Sequence, residues 1–143
     1  ITLTYGGMTR FFLTLSEAIS LLFQATEFSA GGETYVINMP AFRMSDVAKA
    51  LIKHYGNKDT KIEEIGIREG EKIHEVLVSE HESSRTYIFN EDYYVIMPEL
   101  KISRDYSHIK NMNKVGFDRF SSTDNIKDEE YLTGMLGKGG FLV

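Results

Sequence analysis

The chain has 143 residues, 42% hydrophobic and 26% charged, enough for one domain with a real core and too few for two full ones. It has no cysteine, which excludes a disulfide framework, a thiolate nucleophile and a cysteine-based zinc site, and which fits a cytosolic protein. A net charge of −5 disfavours nucleic acid or an anionic membrane as general partners, yet leaves room for a local anion site built from one or two arginines.

No apolar run approaches the length of a membrane span, and no basic-then-apolar start marks a signal peptide. Ile1–Tyr5 reads like the inside of a strand or loop with no initiating Met, so the sequence is expected to be a piece of a longer protein. Residues 1–13 are expected to be extended, broken by Gly6-Gly7. Thr14 and Glu17 have capping-box spacing, and Ala18, Leu21, Leu22 and Ala25 recur at helical spacing until Gly31-Gly32. Thr34–Asn38 is β-branched and aromatic, hence a strand, closed by Pro40.

Ser45 is the expected N-cap of a second helix, with Asp46 in its first turn, an apolar face of Val47, Ala48, Leu51, Ile52 and Tyr55, and Gly56 as its stop. Lys61–Ile67 reads as a strand and Glu71–Val78 as a short helix or turn. Arg85–Phe89 and Tyr93–Met97 flank Asn90-Glu91-Asp92 as a hairpin. Lys101–Asn113 is polar and mixed, Ser121–Asp124 is a turn or cap cluster, and Asp128–Leu136 is a last helix. Three or four helices and four short strands give an α/β or α+β class.

Two places carry candidate chemistry. In Gly66-Ile67-Arg68-Glu69-Gly70-Glu71-Lys72, the planar guanidinium of Arg68 can hold two phosphate oxygens at once. The glycines allow close backbone approach, and Glu71 can accept hydrogen bonds from a sugar diol. Spacing alone favours a plainer reading, a surface turn with a solvated Arg–Glu pair. In Met8-Thr9-Arg10-Phe11-Phe12, a lone cation among apolar neighbours needs an anion, which is either a ligand phosphate or an internal carboxylate. The acids Glu63, Glu64, Glu69, Glu71 and Glu75 cluster as a solvated edge more readily than as an acid–base pair.

Other features carry less. His54, His74, His81 and His108 lack metal-ligand spacing, so no metal site is expected. The glycines at 134, 137, 139 and 140 lack the strand–turn–helix context of a dinucleotide loop. Tyr87, Tyr93 and Tyr94 read as hairpin packing; Tyr93 and Tyr94 have no lysine four residues on.

Met8–Thr14 is similar to the stretch that opens the substrate domain of extended short-chain dehydrogenases acting on nucleotide sugars. Gly66–Lys72 resembles their arginine–proline–glycine–acid motif. With His74–Glu80, Arg85-Thr86-Tyr87 and Tyr93–Ile96, the chain resembles the capsular-polysaccharide branch, the UDP-N-acetylglucosamine 4,6-dehydratases and UDP-glucose 4-epimerase-like proteins.

The resemblance implies the C-terminal half of an enzyme. Residues 1–98 would be the UDP-sugar-binding domain and 99–143 an extension packing on it. An N-terminal Rossmann domain lies outside the chain, as do NAD or NADP and the catalytic residues. Arg10 and Arg68 would contact the UDP pyrophosphate and Glu71 the uridine ribose, and the parent enzyme would be a homo-oligomer. Its reaction would be transient C4 oxidation, loss of the C5 proton, elimination of the C6 hydroxyl and return of hydride, with simple C4 epimerisation as the alternative. A stand-alone binding or oligomerisation module is the rival outside enzymes. One departure is visible: Glu69 stands where the family usually has proline.

Overall fold

The computed structural model describes residues 1–101 and 103–142. In chain order the elements are β1 (Thr2–Leu3), β2 (Thr9–Phe11), α1 (Leu15–Phe28), β3 (Thr34–Ile37), β4 (Ala41–Arg43), α2 (Met44–Tyr55) and β5 (Glu63–Glu64). They continue with β6 (Val76–Val78), α3 (Glu80–Ser83), β7 (Thr86–Ile88), β8 (Tyr93–Ile96), α4 (Ser107–Lys110), β9 (Phe120–Ser121) and α5 (Glu129–Lys138). The mixed α/β class expected from the sequence is the one observed. The chain divides into two compact units, one of residues 1–14, 40–75 and 121–143, the other of residues 15–39 and 76–120.

In the first unit, β2 and β4 pair antiparallel with Arg10 opposite Phe42, and β1 pairs parallel with β5. The core joins Phe42, Val47, Ala50, Leu132, Met135 and Leu136 from β4, α2 and α5. Phe12 meets Phe42 edge-on at 5.2 Å, a favourable aromatic geometry. Helix α5 begins where the sequence places it: the Asp128 carboxylate accepts from the Tyr131 N–H, satisfying one orphan amide. Helix α2 begins one residue before Ser45, capped by Arg43 with no side-chain cap bond. Asp46 sits in its first turn and pairs with Lys49 (3.4 Å).

In the second unit, β3, β8 and β7 form an antiparallel sheet in that order, and β7–β8 is the expected hairpin. Asn90 closes it by accepting from the N–H groups of Asp92 and Tyr93. The core here is Val95, Met97, Tyr106 and Ile109, so the polar stretch 101–113 contributes packing through α4; Ile102 within it lies outside the described residues. Tyr94 packs edge-on against Phe117 and Phe120, the packing role expected of the hairpin tyrosines.

Beyond the Ser45 cap, two expectations are corrected, on Lys61–Ile67 and Glu71–Val78, while α1 forms as expected. Its Ala18, Leu21 and Ala25 are half-buried, and none of its residues is fully buried. Leu15, Ile19, Leu22 and Phe23 fall on one helical stripe, and Phe23 is 71% exposed. The Lys61–Ile67 strand shrinks to two residues, flanked by bonds from the Glu63 N–H to the Ile1 carbonyl, the Ile65 N–H to the Leu3 carbonyl and the Ile1 amino group to the Lys61 carbonyl. No helix forms over 71–78. Ile73 and Glu75 instead spend their backbone groups on distant partners, the Thr9 N–H (3.0 Å) and the Ser122 N–H (2.8 Å), and Val76-Leu77-Val78 becomes β6. Tertiary hydrogen bonds override local helix propensity there.

The turn that presents Arg68 is well defined. The Glu71 N–H donates to the Arg68 carbonyl (3.1 Å), Gly70 has φ +78°, and no non-glycine residue described has positive φ. That combination is a type II turn with Glu69 at its second position and Gly70 at its third. The second position of such a turn favours proline, which accounts physically for the arginine–proline–glycine–acid pattern that Glu69 interrupts.

Two stability outcomes follow from this architecture. Leu132 is fully buried in the first core, so Leu132→Ala should cost about 2–5 kcal/mol; a denaturation midpoint within error of wild type would contradict the core assignment. At the turn, Gly70 has open space around its Cα, so Gly70→Ala should destabilise by roughly 1 kcal/mol from the left-handed backbone alone. Glu69→Pro should instead stabilise by about 0.4–1 kcal/mol through a stiffer unfolded chain. If thermal denaturation gave the opposite signs, the turn type would be wrong.

Candidate functional site

The site is built in the first unit from β1, β2 and the loop 66–75. The loop has little regular structure, so its shape comes from side chains that tie it to the strands. The Glu71 carboxylate makes two of these ties and also closes the turn. Its Oε1 accepts from the Thr4 hydroxyl (3.1 Å) and lies 3.6 Å from Arg10 Nη2; its Oε2 accepts from the Arg68 N–H (3.2 Å). The turn is therefore closed twice, by its backbone bond and by a carboxylate hydrogen bond of the charge-assisted kind.

Arg10 is the second centre. Its Nη1 donates to the Thr9 carbonyl (2.8 Å) and the Ile73 carbonyl (3.2 Å), and its Nε lies 3.6 Å from Glu75 Oε1. The guanidinium thus meets two carboxylates and two carbonyls. Of the two partners open to it in the sequence, the structure supplies the internal one. Its side chain is 23% exposed and that of Glu71 25%, so this network is less screened than a surface pair.

A buried hydroxyl cluster stands behind Arg10. Thr9 Oγ1 lies 2.6 Å from Ser122 Oγ and 2.8 Å from His74 Nδ1, and Ser122 Oγ accepts from the Glu75 N–H (2.9 Å). Thr9 is 2% exposed and Ser122 fully buried. Together they fix the backbone of Ile73–Glu75 and so the direction of Glu75 toward Arg10.

The three residues singled out in the sequence are placed differently. Arg10 and Glu71 are in contact. Arg68 reaches Glu71 only through its backbone; its side chain is exposed, with no ion pair or hydrogen bond among the described residues. Thr4, Thr9, Glu75 and Ser122 were not recognised as supports in the sequence, because their partners lie many tens of positions away. The acid run containing Glu75 was the one local hint.

The glycine cluster near the end of the chain is not a phosphate loop. Gly134 and Gly137 lie inside α5, Gly139 is its C-cap, and Gly140 has φ +75° at the end of the helix. A phosphate loop needs a strand before its glycines and a helix N-terminus after them. These residues do not fit a dinucleotide. No helix among the described residues is long and apolar enough to cross a membrane.

Comparison with known proteins identifies the family. The family described as "Polysaccharide biosynthesis protein" matches residues 1–98. A UDP-N-acetylglucosamine 4,6-dehydratase (inverting) of Campylobacter jejuni is 36% identical over 101 residues, which are 71% of this chain and 28% of that protein. A UDP-glucose 4-epimerase of Rickettsia canadensis is 36% identical over 110 residues, 77% of this chain and 31% of that protein. The chain thus spans less than a third of the length of these curated relatives. Among solved structures, Pen from Bacillus thuringiensis superposes with a TM-score of 0.84 at 28% identity, over 100% of this chain and 41% of that one. The chain belongs to the polysaccharide biosynthesis protein family, in its extended short-chain-dehydrogenase-like group.

Proposed function

We propose that this chain is the substrate-gripping portion of a nucleotide-sugar-modifying enzyme, a UDP-N-acetylglucosamine 4,6-dehydratase of polysaccharide biosynthesis. Arg68 takes the pyrophosphate of a UDP-sugar, Arg10 flanks it, and Glu71 accepts from the ribose hydroxyls. The observation that carries this reading is an exposed, uncommitted guanidinium on a turn that Glu71 closes from both ends. The turn fixes the Arg68 backbone, and the planar guanidinium fork matches a phosphate bidentately. Glu71 has lone pairs beyond its three present contacts, and its partial exposure leaves them reachable by a diol.

Arg10 enters the proposal with an altered role. Held by Glu71 and Glu75, it sets the orientation of Glu71 and offers a phosphate only the edge not spent on carboxylates and carbonyls. Glu69, Glu71 and Glu75 all lie near the proposed phosphate, so the chain alone should bind UDP weakly.

The reacting groups and NAD or NADP belong, in this reading, to a Rossmann domain outside the chain. The uncovered stripe Leu15–Ile19–Leu22–Phe23 on α1 supports a missing partner surface, since a continuous apolar stripe is costly to leave in water. Epimerisation at C4 would use the same grip on the UDP handle; assay of the full-length enzyme for a 4-keto-6-deoxy sugar separates the two reactions.

Titration of UDP and UDP-N-acetylglucosamine onto the chain, followed by NMR, tests the grip. Shifts should centre on residues 66–75, and Arg68→Ala should weaken binding by roughly tenfold or more without lowering thermal stability. Undiminished binding by Arg68→Ala would remove the guanidinium from the proposal.

A further inference from the structure

We propose that the second unit carries a separate site for a compact, multiply charged oxyanion of the diphosphate class, formed by Arg85, Lys101, Arg104, Lys110 and Lys114. These five cations line one cavity enclosing about 340 Å³. The protein has sixteen lysines and arginines against twenty-one acids, so gathering five around one cavity reverses the local sign of the field.

The acids close to this cavity are few and each has a hydrogen-bond partner outside it. Glu99, the one carboxylate in the wall, lies 3.1 Å from His81 Nε2. Glu82 accepts from the Ser79 N–H and hydroxyl in the capping box of α3, and Asp105 accepts from the Ser107 N–H at 2.9 Å. Glu82 also acts on Arg85 and Asp105 on Lys110, so the cations are partly balanced, but three carboxylates against five cations leave the cavity net positive.

Packed and hydrogen-bonded side chains anchor parts of the wall. Tyr106 is buried and donates to the Gly31 carbonyl (2.5 Å), and Ile109 anchors α4 with no exposure, one residue before Lys110. Lys114 donates to the Ser84 carbonyl (2.7 Å) and stands 5.7 Å over the Tyr87 ring. Arg85 donates through Nη1 to the Met97 carbonyl, while its Nε is buried with no acceptor among the described residues. A buried guanidinium N–H without an acceptor is costly, and an oxyanion in the cavity would be one way to supply it. Five cations around this volume exceed what one orthophosphate would neutralise, which is why a diphosphate is the better match.

This site is distinct in its residues from Arg10, Arg68 and Glu71, so it stands or falls apart from the UDP-sugar reading. The test is NMR and calorimetric titration of the full chain with inorganic pyrophosphate and, in parallel, orthophosphate. Pyrophosphate should shift signals of residues 84–87, 97–101 and 104–114, with affinity that falls as salt rises. The double substitution Arg104→Gln with Lys110→Gln removes two exposed cations without touching the packing and should weaken pyrophosphate binding by roughly tenfold. Arg68→Ala should leave it unchanged. Absence of those shifts, equal affinity for orthophosphate, or full affinity in the double variant would each overturn the proposal.

Discussion

The Glu71 carboxylate is the constraint on which the rest of the site depends. With three partners it joins the bend after β1 through Thr4, β2 through Arg10 and the turn through the Arg68 N–H. A loop with almost no regular structure otherwise has no reason to hold one shape, because ordering each residue costs about 1–2 kcal/mol of conformational entropy. A charged acceptor shared by a hydroxyl, a guanidinium and an amide offsets some of that cost and does so with direction. The result is that Arg68 is projected outward while its backbone is fixed.

The hydroxyl cluster of Thr9 and Ser122 acts in the same way at a greater remove from the turn. Each hydroxyl is buried and hydrogen-bonded, which avoids the penalty of an unsatisfied polar group and sets the path of Ile73–Glu75. Arg10 then finds Glu75 on one side and Glu71 on the other. A partly buried cation with two carboxylates is structural first. Any contact it makes with a phosphate comes through the edge those partners leave open.

Much of the fold was legible because its signals are local. Asp128 caps α5, Asn90 closes the β7–β8 hairpin, and the helical spacing of α1 and α2 describes real helices. Local signals fail where distant partners decide. Glu71–Val78 has the composition of a short helix, but Thr9 and Ser122 take its backbone bonds. Periodicity on α1 identifies an apolar stripe without saying what covers it. At the site, Arg68 and Glu71 could be singled out from a seven-residue motif, whereas the partners that shape them, at positions 4, 9, 75 and 122, become visible only in three dimensions. The glutamate at position 69 gains its meaning in the same way: a type II turn asks for proline there, and the hydrogen bonds of Glu71 hold the turn without it.

The central claim is that this pinned turn holds a nucleoside diphosphate by its ribose as well as its phosphates. It is tested most directly from the ligand side, by comparing the dissociation constants of UDP and 2′,3′-dideoxy-UDP for the same chain. If Glu71 accepts from the ribose hydroxyls, loss of both should weaken binding by roughly tenfold, since charge-assisted hydrogen bonds are given up. Equal affinity for the two ligands would contradict that assignment.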